Sequence, residues 1–332
     1  MSLFVLHHAT DFGVRPAWAA GVRQRLTQQK REFLEQIHSF SSVPLAWISG
    51  LTSPQSAQVA LTRISELAPI DRLPTLALPE DMPMEARHIL LGIAERRTWT
   101  ADEKAELFSR YGQSFKPSPS SMDTLLNTWT ALAENGEKYL EAIQEYYQVF
   151  FAEEEAQIRP TLARSLAEAQ VLAGQLQLVD LVERLSHGVR LENLESIDEL
   201  TLLPSWWVTP LAFLTRPGND KVLIAFGARP EVRNETEGAE PATGLVNAIK
   251  SLGDPTRLRI LRFLSNEPLT PTELARRLRL RPPTVIHHLR ILRLASLVKV
   301  TVGENMEKLY TARLEAIQTI QKSLADFLNI HD

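Results

Sequence analysis

The stretch Arg281-Pro282-Pro283-Thr284-Val285-Ile286-His287-His288-Leu289-Arg290 puts hydrogen-bonding side chains on a pattern that fixes where they point. Two prolines suit the first turn of a helix, where an N–H would lack a partner anyway. Val285, Leu289 and Leu292 then follow at i, i+4 and i+7 and face a core. At 100° per residue, Pro283, His287, Arg290 and Leu294 fall on the opposite side, with Thr284, Ile286 and His288 on its flanks. Arginine can donate bidentately to guanine O6 and N7, threonine can bond a phosphate or a base, and isoleucine can touch a thymine methyl. The pattern therefore suits a helix lying in a DNA groove, with Arg290 and His287 first in line for base edges and His288 bracing a neighbouring helix. The plainer alternative is an exposed helix face, or for Ile286 a core position.

The overall charge of −4 argues against nucleic acid until it is divided along the chain. Residues 243–332 carry 14 Lys and Arg against 8 Asp and Glu, a balance of +6, leaving 22 against 32, or −10, for residues 1–242. Between Arg257 and Lys299 only Glu267 and Glu273 oppose 10 basic residues, which is the electrostatic footprint of a DNA-binding module. Arg276, Arg277, Arg279 and Arg281 are expected to meet phosphates, setting affinity and salt dependence but not sequence choice.

Those residues need elements to hold them. Val246, Ile249 and Leu252 mark a helix ending at Gly253, and Asp254-Pro255 is an N-cap with proline at N1. Thr270-Pro271-Thr272-Glu273 reads as a capping box that opens a helix to Leu280. A short turn and the Pro282 helix complete a helix-turn-helix. Val298–Val302 and Met306–Thr311 alternate around Gly303-Glu304-Asn305 as a hairpin. A last helix, Arg313–Asn329, places Ile317, Ile320, Leu324 and Phe327 on a seam suited to a partner helix.

Upstream, Leu3–His8 reads as a strand. A long helix is expected from Pro16 to His38, a short apolar piece over Pro44–Ser49, and a helix capped by Ser53-Pro54 to about Leu67. Pro69–Pro83 reads as a surface connector. Helices follow at Met84–Arg97, from the capping box Thr100/Glu103, and, beyond the loop Lys116–Ser121, at Met122–Glu134, Gly136–Ile158 and Pro160–Leu185. Val189–Leu191, Leu200–Leu203, Trp206–Leu214 and Val222–Phe226 suggest an antiparallel meander. Acidic, Gly- and Pro-containing residues 229–243 read as a linker. The expected fold is mainly α with small β elements, α+β: residues 1–228 as a helical regulatory or effector-binding domain with a small sheet, and residues 244–332 as the DNA-binding domain.

The residues Ser251-Leu252-Gly253-Asp254-Pro255-Thr256-Arg257-Leu258-Arg259-Ile260-Leu261 and Pro283-Thr284-Val285-Ile286-His287-His288-Leu289 resemble the ArsR family of bacterial winged-helix transcriptional regulators. The match covers about the last 90 residues. It implies a homodimer, paired through its outer helices and presenting two recognition helices to a palindromic double-stranded operator, with repression the commoner outcome. The acidic N-terminal region, with Trp129, Ile158-Arg159-Pro160 and Leu203-Pro204-Ser205, also looks like an uncharacterised domain fused to some members of that family. It supplies no ligand.

The chain departs from the family pattern in its metal-ligand positions, in a helix cap and at the wing tip. Many members sense metals through Cys-x-Cys before the recognition helix; here Leu269–Ala275 has no thiol, and the chain has no cysteine at all. The last helix offers only Asp326, His331 and Asp332 as ligands, so no metal is expected. Arg281 stands where a serine cap is usual, losing roughly 1 kcal/mol of capping but adding a cation. Glu304 and Glu307 at the wing tip disfavour a minor-groove contact.

Other chemistries find little support. Disulfides and cysteine nucleophiles are excluded. There is no P-loop, dinucleotide fingerprint, His-Glu-x-x-His helix or Gly-x-Ser-x-Gly elbow, so neither catalytic residues nor a cofactor is expected. His287-His288 cannot share a helix face, and His7-His8 would point to opposite sides of a strand. The six tryptophans, Trp206-Trp207 among them, fit a core or the walls of a pocket for a small-molecule effector. The N-terminus lacks a signal-peptide pattern, and Leu200–Leu214, interrupted by Pro204 and Pro210, is too short to span a bilayer, which makes a cytoplasmic protein without a membrane partner the expectation. An enzyme in residues 1–228, or a winged helix that binds protein, remains open at this point.

Overall fold

The computed structural model describes residues 1–51, 56–111, 117–192, 194–217, 220–229, 243–303 and 307–328. The fold is α+β, mainly helical with two three-stranded sheets among the described residues. It divides into two compact units. Met1–Pro160, Glu199–Thr201 and Leu214–Ile224 make the first; Thr161–Asp198, Leu202–Phe213 and Ala225–Asp332 make the second. The second unit thus begins well before the expected linker, of which residues 230–242 lie outside the described residues.

The first unit holds α1 (Ser2–His7), α2 (Pro16–Gln24), α3 (Gln28–His38), α4 (Leu45–Ser49), α5 (Ala57–Glu66) and α6 (Pro69–Leu76). These are followed by α7 (Met84–Arg96), α8 (Ala101–Arg110), α9 (Pro119–Trp129) and α10 (Leu132–Tyr146). A π-helical turn, Tyr147–Phe151, leads into α11 (Ala152–Ala173).

Several expected elements differ, each for a physical reason. Leu3–His8 is helical: Phe4, Val5 and Leu6 are buried in succession, a pattern that a short apolar run shares between strand and buried helix. The expected helix from Pro16 to His38 breaks at Arg25–Thr27, where Glu145 accepts the Thr27 N–H at 2.6 Å and pairs with Lys30 at 2.8 Å. The Ser53-Pro54 cap lies outside the described residues; Ser56 caps α5, accepting from the Val59 N–H. Pro160 falls inside α11 and does not open a helix, so the 22-residue element tolerates one missing ladder bond.

Pro69–Pro83 is not a surface connector. It forms α6, which inserts Leu73 and Leu76 into the core, and Ala77, Leu78 and Met82 are buried after it. Gly136 on α10 makes this approach possible, since a Cβ there would lie 1.9 Å from the Pro69 carbonyl oxygen. The buried Arg72 then pairs with Glu137 at 2.6 Å and donates to the Ile64 and Leu67 carbonyls at the end of α5. Trp129 and Phe40, both fully buried, meet edge to face nearby.

Strands β1 (Val189–Leu191), β2 (Glu199–Ser205), β3 (Ala212–Thr215) and β4 (Lys221–Gly227) do not form one meander. β2, β4 and β3 make a sheet in that order, with Val222–Phe226 of the central strand buried. Trp206–Val208 lies in a turn and not in a strand. β1 joins the other sheet.

That sheet belongs to the winged helix of the second unit. After α12 (Leu178–Leu185) and β1 come α13 (Thr243–Leu252), α14 (Pro255–Leu264), α15 (Pro271–Leu278) and α16 (Pro282–Leu294). β5 (Val298–Val302), β6 (Lys308–Ala312) and α17 (Leu314–Phe327) complete it. β5 and β6 pair antiparallel from Val298 opposite Ala312 to Val302 opposite Lys308, and Leu269 bridges Tyr310. β1 runs parallel along the other edge of β5, Val189 opposite Val300 and Leu191 opposite Val302. The core is Ile260, Leu264, Leu274, Leu278, Val285, Leu289, Leu292, Leu297 and Val298.

Two tests follow from the first unit. Gly136→Ala forces α6 away from α10 and is expected to cost about 1–3 kcal/mol in urea unfolding. The His7 and His38 rings stack at 4.9 Å, with both His7 ring nitrogens and His38 Nε2 shielded from solvent and unpartnered. Burial first, then the charges of Arg23 and His8, pushes His7 from 6.5 down to about 3; burial, then His7 and His8, holds His38 well below the same value. Below pH 6.5 the unfolded chain therefore takes up protons that the folded one refuses, so stability is full above that pH and declines as pH falls. The urea midpoint is expected to drop between about pH 7.5 and 5, and His38→Gln to flatten that slope.

Candidate nucleic-acid interface

The turn that leads into the Pro282 helix is built by backbone chemistry. Thr270 accepts the Glu273 N–H at 3.2 Å while the Glu273 carboxylate accepts the Thr270 N–H at 2.8 Å, starting α15 squarely. Arg279 ends it in the left-handed region, φ 57° and ψ 43°, and the Leu280 N–H closes back on the Ala275 carbonyl at 3.0 Å. Arg281, extended at φ −78° and ψ 142°, is the N-cap of α16 and makes no side-chain capping bond. The helix begins with Pro282 and Pro283, as the spacing predicts.

On α16, Val285, Leu289 and Leu292 are buried, which leaves Pro283, Thr284, Ile286 and His287 exposed. Ile286 is 53% exposed, so it is a surface residue and not a core one. Arg290 is half-buried, its Nη2 lying 3.3 Å from His287 Nδ1. A guanidinium only donates, so in this contact Nδ1 accepts and the imidazole proton resides on Nε2, leaving that nitrogen as a donor. His288 is half-buried on the flank. Burial lowers its affinity for a proton against the pull of Asp254, with Arg257 adding to the lowering, which places it against the start of α14.

The arginines are not equivalent. Arg276, Arg279 and Arg281 are exposed. Arg277 is half-buried, paired with Glu267 at 2.6 Å and lying over the Phe263 ring at 5.9 Å. Arg257 is also committed, donating to the Ser251 and Lys250 carbonyls at the end of α13. Sequence reasoning missed one residue: Arg293, one of the few buried charged groups among the described residues, with Nη1 3.1 Å from the His187 carbonyl and 3.2 Å from that of Val298. Its signal was a charge four residues after Leu289, on the stripe otherwise kept for core side chains.

The expected dimer seam divides. Ile317 and Ile320 pack, partly buried, against the winged-helix core, and Leu324 is half-buried. Phe327 is exposed, as are Leu314 and Leu328 at the ends of the same helix, and no α17 residue is fully buried.

In the first unit an open pocket of about 400 Å³ is walled by Trp18, Arg25, Phe150, Glu153, Glu154 and Gln157. Trp207 is buried in the turn before β3. Among the described residues no group of His, Asp and Glu is arranged to hold a metal ion, and no helix is long and apolar enough to cross a membrane. Glu304 at the wing tip, with His331 and Asp332, lies outside the described residues.

A family model described as a helix-turn-helix domain matches residues 252–301, spanning the end of α13 through β5. Over 114 residues the chain is 29% identical to a "Transcriptional repressor SmtB homolog" from Synechocystis sp., covering 34% of this chain and 85% of that relative. These matches support the resemblance of the C-terminal segment to ArsR-family helix-turn-helix regulators. The protein is thus a DNA-binding transcriptional regulator, with its helix-turn-helix match at residues 252–301. No solved structure matches the chain.

Two measurements separate the arginines. Arg276→Ala is expected to reduce the slope of log affinity against log salt by about 1, and Arg277→Ala, whose charge is already paired, by much less. Arg279→Gly removes a left-handed arginine, which costs about 1 kcal/mol, so it should raise the thermal midpoint while weakening DNA binding.

Proposed function

We propose that the protein is a homodimeric repressor that reads a palindromic operator through α16, with residues 1–228 controlling that binding and residues 244–332 carrying it. The observation that carries the reading is the outward face of α16, where Arg290 and His287 lie together, with Arg276 on α15 and Arg279 and Arg281 in the turn that follows it all exposed. Arg290 and His287 contact base edges, Ile286 and Thr284 flank them, and the arginines bind phosphates. The two copies pair through α17, where Phe327, Leu314 and Leu328 leave apolar surface open and Leu324 extends it inward. In such dimers the half-sites lie about one helical turn apart, on the order of 34 Å.

Repression is supported by the relative, whose name is that of a transcriptional repressor. Control by the N-terminal region rests on the size of that region and on its opposite charge. A signal bound there, a small molecule in the pocket beside Trp18 being the simplest, acts only in so far as it prefers the DNA-competent or the incompetent state.

Fluorescence anisotropy on the gene's own upstream DNA and on a scrambled duplex, across a salt series, tests the reading. Tighter binding to the upstream duplex is expected, falling steeply with salt, and Arg290→Ala should lose about 1–3 kcal/mol of that preference. Equal weak binding to both duplexes, untouched by the mutation, would contradict it.

A further inference from the structure

The segment between α12 and the end of β1 lies about a hundred residues before the reading helix, yet it is fastened to that helix at its core. Arg293 emerges from the last turn of α16 and is 8% exposed. Its Nη1 group donates toward the carbonyl oxygens of His187 at 3.1 Å, Gly188 at 3.4 Å and Val298 at 3.2 Å. The Arg313 guanidinium, just before α17, reaches the same His187 carbonyl at 3.5 Å. Burial without a carboxylate partner in these contacts lowers the Arg293 guanidinium to about 10, with Tyr310 opposing and Arg313 adding to the shift. Two of the three carbonyl dipoles that hold the charge in place come from this chain path.

The path is specific in its backbone. Gly188 sits at φ +101°, a conformation that favours glycine, and a Cβ there would lie 3.3 Å from Lys299 Cγ and 3.5 Å from Arg293 Nη1. From that turn the Gly188 carbonyl accepts the Val300 N–H at 2.8 Å, and the Glu192 N–H donates to the Val302 carbonyl at 3.0 Å, so β1 is zipped to the wing strand at both ends. Outside the sheet, Glu183 of α12 pairs with Arg190 and, at 2.9 Å, with Lys299 on β5; Lys299 also reaches Glu315 on α17 at 2.9 Å. One short segment thus touches α16, the wing and the foot of α17.

We infer that Arg293 is a positioning residue for DNA reading and that docking of residues 183–192 on β5 is the input through which the region before the winged helix sets the pose of α16 and the wing. This rests on the reading of α16 as the operator-binding helix and adds to it the route of control. Arg293 and Gly188 are both buried, so their effect on DNA is transmitted and not direct. When the segment is docked, the C-terminal end of α16 is tied to three carbonyls and the wing is a three-stranded sheet; when it is released, the buried guanidinium loses two of its acceptors and β5 gains an open edge.

The test uses the full chain, anisotropy on the upstream and scrambled duplexes, and thermal unfolding. The variants are Gly188→Val, Arg293→Met, Arg293→Lys and a double variant that combines Gly188→Val with Arg293→Met. Gly188→Ala takes the place of Gly188→Val if the latter prevents folding. For folded variants, Gly188→Val and Arg293→Met should each weaken upstream binding about tenfold while binding to the scrambled duplex stays within about twofold, since the phosphate-binding arginines are untouched. Arg293→Lys should recover most of the loss. The double variant should be no weaker than the worse single one, because both break one docking. Upstream affinity equal to wild type in folded Gly188→Val and Arg293→Met overturns the inference, as do equal losses on both duplexes or additive losses in the double variant. Failure of the underlying reading looks different: wild type itself would then show no preference for the upstream duplex.

Discussion

The burial of Val285, Leu289 and Leu292 fixes the rotation of α16 about its own axis, and most of what the protein can do depends on that angle. A helix that packs one apolar stripe into a close-packed core has its remaining side chains assigned by the 3.6-residue period. Rotated by one residue, the same helix would bury polar side chains and expose a leucine. Each fully buried valine or leucine is worth about 1.5–3 kcal/mol relative to exposure, so these three positions hold the angle firmly. The outward face proposed to read DNA is therefore presented ready-made, and the ordering cost of placing it is met when the domain folds.

Electrostatics then divides the labour around that face. Arginines whose charge is already committed, Arg257 on the α13 carbonyls and Arg277 on Glu267, hold the scaffold. Arg276, Arg279 and Arg281 face water, the position from which the proposed phosphate contacts would add affinity without sequence preference. Arg293 does neither. A buried cation supported only by carbonyls gains little stability over an apolar group of its size, but it is directional, and it ties the reading helix to a segment from far upstream.

The winged helix is legible in the sequence because its signals are local. Asp254-Pro255, Thr270 with Glu273, the paired prolines and the apolar spacings each act within one turn, and each starts its helix where the spacing predicts. The elements that differ from expectation depend on partners distant in the chain. Glu145 breaks the helix at Thr27, and Gly136 admits α6 to the core where proline content alone suggests a surface connector. β1 looks like the first strand of a meander because nothing in Val189-Arg190-Leu191 says that its neighbour is Val300. Arg293 carries a signal, a charge on an apolar stripe, whose partners include the turn before that same distant strand. On the candidate site itself, residue type and helical phase place Arg290, His287, Thr284 and Ile286 away from the buried stripe, while the pairing of Arg277 and the splitting of the α17 seam emerge only from the structure.

Direct reading of bases by the outer face of α16, as proposed, is tested most closely by a cycle between protein and DNA. Each guanine of the bound upstream site is replaced in turn by 7-deazaguanine, which lacks the N7 acceptor, and affinity is measured for wild type and Arg290→Ala. The account predicts one position per half-site where the replacement weakens wild type by about tenfold and leaves Arg290→Ala unchanged, because the same bond is already lost. Replacements that weaken both proteins equally, or neither at any position, would contradict it.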